Sequence, residues 1–104
     1  MSILEVNQLD GVGLDERNDE RLLLFISDHL DWKDEDSHIE LLNEKLNNYY
    51  HYIMSGQYKS QWRQVSEFVI CIAFQYGLSD NADKFLGVVA ERLATKNIYI
   101  ELME

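Results

Sequence analysis

The chain has 104 residues, 46% of them hydrophobic, and a net charge of −10 at neutral pH. This is the composition of a folded domain with one core, and it sets aside an acidic disordered tail. The charge has the wrong sign for nucleic acid or an anionic membrane as partner. It is also uneven: the first 44 residues hold thirteen acids against three bases, a balance of −10, and the remainder holds six of each. Proline is absent and glycine is sparse, so no linker interrupts a single domain over residues 1–104.

Cys71 stands alone, which rules out an internal disulfide. Met1 to Glu5 lacks the basic and apolar regions of a signal peptide, and no apolar run approaches the ~20 residues of a membrane helix. Cytoplasmic residence is the expectation.

In chain order, Val6 to Leu14 reads as a short irregular strand and residues 15–19 as a turn. Arg21 to Ser27, with Leu22 to Ile26 continuously apolar, reads as a strand inside the sheet. Asp28 to Asp36 is an acidic loop. Ser37 and Glu40 fit a capping box, so a helix is expected to open at Ser37. Ile39, Leu42, Leu46, Tyr49 and Ile53 form its apolar stripe, and Gly56 its stop. Gln57 to Val65 is a polar, aromatic-bearing loop.

Glu67 to Tyr76 reads as a central strand, apolar on both faces, with Cys71 a small buried hydrophobe. Ser79 or Asp80 caps a second helix whose stripe is Ala82, Phe85, Leu86, Val89, Ala90 and Leu93. After Asn97, Ile98 to Met103 alternates as a last strand. The order β-β-α-β-α-β predicts an α+β two-layer sandwich, a four-stranded mixed sheet with both helices on one face.

The richest segment, Asp28 to His38, carries two histidines and five carboxylates before the capping serine. A metal site from His29, Asp31 and His38 matches no standard zinc spacing, and Asp34 to Asp36 lacks the glycine and alternating ligands of a calcium loop. No nucleophile elbow, phosphate loop or dinucleotide fingerprint is present. No catalytic residue, cofactor or metal is therefore assigned.

What remains is surface recognition. Asp28, Asp31, Asp34, Glu35, Asp36 and Glu40 form a candidate acidic face. Trp32 is either a plug for the loop or an anchor ringed by charge. Tyr50, Tyr58 and Trp62 either roof the edge of the core or, with Tyr52, which is expected to be exposed, serve as aromatic contacts, since tyrosine and tryptophan are common hot spots.

Ile26-Ser27-Asp28-His29-Leu30-Asp31-Trp32, the helix from His38 to Asn47, and Ser55-Gly56-Gln57 resemble a family of small uncharacterised bacterial domains with an ISDHLDW motif. That resemblance implies the same α+β fold and carries no activity. The turn between the first two strands is weaker here than in that family. By size and charge the chain also looks like the immunity proteins of contact-dependent toxin systems, which neutralise a toxin, often a basic nuclease, by direct binding. The expected function is a non-enzymatic acidic binding protein whose partner is a basic toxin domain. The alternative is a structural or adaptor domain that self-associates as a homodimer.

Overall fold

The computed structural model describes residues 3–5 and 7–103. Four strands and two helices follow the expected order: β1 Gly11–Asp15, β2 Asn18–Asp28, α1 Glu35–Ser55, β3 Glu67–Phe74, α2 Asp80–Ala94 and β4 Ile98–Met103. The sheet order is β1-β2-β3-β4. The β1/β2 hairpin is antiparallel, and β2, β3 and β4 run parallel. Each parallel step is made by a helix crossover, and two such crossovers in one direction put both helices on the same face.

Register and burial separate the faces. Leu22, Phe68 and Ile98 align in one row, Leu24, Ile70 and Ile100 in the next, and Ile26 and Ile72 in a third. These residues form one cluster with Leu42, Leu46, Tyr49 and Ile53 of α1 and Leu86 and Leu93 of α2. Among the described residues, no helix covers the opposite face. Val69 and Cys71 are buried there, outside that cluster, flanked in register by Leu23, Phe25 and Tyr99. Burial pushes the Cys71 thiol up, and the nearby carboxylates of Glu101 and Asp15 push the same way, which keeps it unreactive. Phe25 lies over Gly11, where an added Cβ would stand 3.4 Å from the ring. At one end of this face Arg21 bridges Glu67 of β3 at 2.6 Å and Asp15 of β1 at 3.3 Å.

Several boundaries differ from expectation. β1 starts at Gly11, because residues 7–10 are taken up in tertiary bonds; Val6 lies outside the described residues. The hairpin register shifts between Leu14 and Asp15, at the weak turn. Helix α1 opens at Glu35, with Asp34 as its cap: Asp34 Oδ1 accepts from Ser37 N at 3.4 Å. A carboxylate cap with two acids in the first turn suits the positive end of the helix, so the helix extends past Ser37. Gly56 ends α1 in the left-handed region, at φ 77°. The stretch expected to be a loop holds a 3₁₀ turn, Gln57–Ser60. The expected cap of α2 is present, with Ser79 Oγ accepting from Ala82 N at 3.2 Å.

Residues 3–5 and 7–10 are fastened by two polar residues of α1. Lys45, fully buried, donates from Nζ to Glu5 O and Gln8 O, both at 2.9 Å, and to Asp10 Oδ1 at 2.8 Å. Tyr49 donates its hydroxyl to Phe25 O at 2.5 Å and accepts from Asp10 N at 3.0 Å. Desolvation pushes the Tyr49 phenol up, so it stays a donor. Asp10 Oδ2 takes Ser27 N at 2.9 Å, and Ile3 is carried into the core.

Candidate functional site

Both helices begin just beyond the carboxyl ends of parallel strands, so their N-termini share one end of the sheet. Hydrogen bonds and ring contacts fix that end. Asn81 Nδ2 donates to Glu35 Oε1 at 2.9 Å, joining the first turns of α1 and α2. Hydrogen bonds from Ser79 and then Asn81 hold the Glu35 carboxyl below the usual range. Trp32 Nε1 donates to Gly77 O at 3.0 Å, joining the loop before α1 to the loop before α2. The Trp32 ring stacks on His38 at 3.6 Å between centroids and meets Phe74 at 6.2 Å.

His38 is the centre of this corner. It sits on the first turn of α1 and is buried, as is Asp28 at the end of β2. His38 Nε2 lies 2.5 Å from Asp28 Oδ2, and Nδ1 lies 2.9 Å from Asp31 O. Asp28 Oδ1 accepts from Leu30 N at 3.0 Å, shaping the turn. A histidine–aspartate pair can serve as a base with its orienting partner, but a base needs a nitrogen facing substrate. Both nitrogens of this ring face protein oxygens, and Trp32 covers the ring. The corner reads as a clasp between β2, α1 and the α2 loop.

The candidate residues therefore separate by role. Asp28, expected on the acidic face, is inside the clasp. Trp32, the open alternative between plug and anchor, is half-buried as a plug. Asp34 caps α1 and Glu35 ties the helices, each still reaching solvent in part. Asp31, Asp36 and Glu40 are exposed at this end, joined by Asp80 and Asp83 of α2, which sequence reasoning had not grouped with them. The signal available was that Asp80 and Asp83 open the second of two parallel crossovers. Lys33 and Lys84 are the exposed cations in the same stretches.

The aromatic candidates do not join this end. Tyr58 is buried and packs edge-on against Phe68 at 4.9 Å, so of its two readings the structure takes the packing one over the surface contact: the 3₁₀ turn folds it inward. Trp62 is half-buried against the core. Tyr52, expected to be exposed, is half-buried, and burial raises its phenol. A helix rise of 1.5 Å per residue puts Tyr52 about 25 Å along α1 from Glu35. There it lines a cleft of about 530 Å³ with Asn7, Gln8, Asn48, His51 and Gln57. Among the described residues, no three His, Cys, Asp or Glu side chains gather as a metal site, so His29, Asp31 and His38 do not converge as ligands.

Among the described residues, no helix is long and apolar enough to cross a membrane. No curated protein and no solved structure matches the chain. Residues 1–103 match a family of unknown function, DUF6572, and the chain belongs to that family.

Proposed function

We propose that this protein is a non-enzymatic binding domain that captures a basic protein partner, a toxin domain held inactive by direct contact, in the manner of an immunity protein. The observation carrying this reading is the row of exposed carboxylates where both helices begin: Asp31, Asp34, Asp36, Glu40, Asp80 and Asp83. Helix N-termini ordinarily attract anions. Here the protein's own acids take that role, so the end presents negative charge on a frame fixed by the Trp32, His38 and Asn81 bonds. A rigid patch of one sign accelerates encounter with a partner of opposite sign and gives little to a neutral one.

The occupied ring nitrogens of His38 favour binding over catalysis at this corner. The test is association of the full protein with proteins of its native host across salt concentrations. The reading expects one basic partner whose association rate falls steeply as salt screens the charge, and whose toxicity the protein suppresses. A partner bound equally fast at low and high salt overturns it.

A further inference from the structure

We propose a second interface, which adjoins the acidic end only at Asp83: the wall formed by β4 and the outer flank of α2 joins two copies of this chain, with their β4 strands pairing antiparallel across a two-fold axis at Ile100.

The strand carries the proposal. β4 is an outer strand of the sheet, and a single charge, Glu101, is all that blunts its edge. It is six residues long, its ladder to β3 is regular, and it contains no lysine or proline. Its side chains are exposed on both faces of the sheet at once: Tyr99 39% and Met103 45% on the open face, Leu102 48% on the helix face. A layer laid on one face would cover one group and leave the other. Only a neighbour continuing the sheet covers both.

The backbone sets the register. Phe68 N donates to Asn97 O, so the alternation of a parallel ladder turns Asn97, Tyr99 and Glu101 toward β3. Ile98, Ile100 and Leu102 then present their N–H and C=O groups outward. With the axis at Ile100, that residue exchanges bonds with Ile100 of the second copy, and Ile98 does so with Leu102 of the second copy. Tyr99 falls opposite Glu101 of the second copy, so the strand's only charge does not meet itself. This self-match is why the occupant is a second copy.

The helix above permits the approach. On α2 the flank away from α1 is Asp83, Gly87, Ala90 and Ala94, spaced four, three and four apart. A Cβ at Gly87 would meet nothing, so no packing within the chain asks for a glycine there. Strand length and two layers give a wall about 20 Å by about 20 Å, roughly 400 Å² per partner, which is half a standard interface and the size of a weak, concentration-dependent contact. Its charged groups are Glu101, Asp83 at one end and Glu91 one turn beyond Gly87, few for a chain of net charge −10, and all of one sign.

The test is sedimentation equilibrium of the intact protein from about 1 µM to about 1 mM, the range in which interfaces of this size and modest quality associate. The expected result is a dimer that tightens with added salt, because screening relieves repulsion between the two copies; the acidic-end partner behaves oppositely. Leu102→Lys and Gly87→Gln, both at exposed positions, should each remain folded by circular dichroism, and weakening of at least tenfold by either supports the wall. A wild-type monomer throughout the range overturns the proposal. So does a dimer that neither substitution weakens.

Discussion

Lys45 Nζ lies 2.8 Å from Asp10 Oδ1, and the two side chains are 0% and 3% exposed. The pair joins the middle of α1 to the segment preceding β1. Removing the cation strands a carboxylate in the interior, which costs about 3–5 kcal/mol. Lys45→Met is expected to lower unfolding stability by that amount in urea titration. Amide exchange should show residues 7–10 losing protection first. Asp10→Asn, which leaves the ammonium its two carbonyl acceptors, should cost less.

The His38–Asp28 clasp gives a parallel expectation. His38→Leu leaves Asp28 Oδ2 buried with its hydrogen-bond partner gone and should cost about 1–3 kcal/mol. Trp32→Phe keeps a ring on the stack but loses the bond to Gly77 O, a loss of about 1 kcal/mol. Equal and negligible effects of both substitutions in denaturant melts would contradict the reading of this corner as a clasp.

Glu35 supplies the pH dependence. Its folded carboxyl is held below the unfolded value by Ser79 and Asn81. Its contribution is therefore present above the unfolded value and lost as pH falls through the folded one. Wild type and Glu35→Gln should differ in melting temperature near neutrality and converge in acid. A gap that widens toward low pH would have the wrong sign.

Gly87 sits inside α2 with open space at its Cβ position. Gly87→Ala should therefore stabilise the dilute monomer by about 0.5–1 kcal/mol, the usual cost of glycine in a helix. A destabilised monomer would show that this position is filled from within the chain.

Much of the fold was legible because each element carries its own period. The stripe Leu42, Leu46, Tyr49 and Ile53 named the buried face of α1, and the unbroken apolar run of β3 named an inner strand. The boundaries that moved are those where polar residues were claimed by distant partners. Residues 7–10 could extend no strand once Lys45 and Tyr49 bound them. Asp34 displaced Ser37 as the cap because three acids favour an earlier start.

The buried polar residues left a trace that apolar counting passed over. His38 lies four residues before Leu42, and Lys45 three after it and four before Tyr49, so both fall on the apolar stripe. A charged residue in that position announces a buried partner, but its identity, Asp28 or Asp10, is a long-range fact that spacing does not hold. The candidate site divided for the same reason: thirteen acids in the first 44 residues look alike in sequence. Only the tertiary structure separates Asp28 and Asp10, which are internal, from Asp36 and Glu40, which face solvent.

The most direct measurement is the association rate of the basic partner that the proposed function expects with wild type and with Asp36→Lys/Glu40→Lys/Asp83→Lys, at low and high salt. These three acids are exposed, and none takes part in the clasp or the Asp34 cap, so the fold should survive. The expected result is association slowed at least tenfold at low salt, with the salt dependence largely removed, within the range that steering supplies. The same rate and the same salt dependence for both proteins would contradict a function resting on the acidic end.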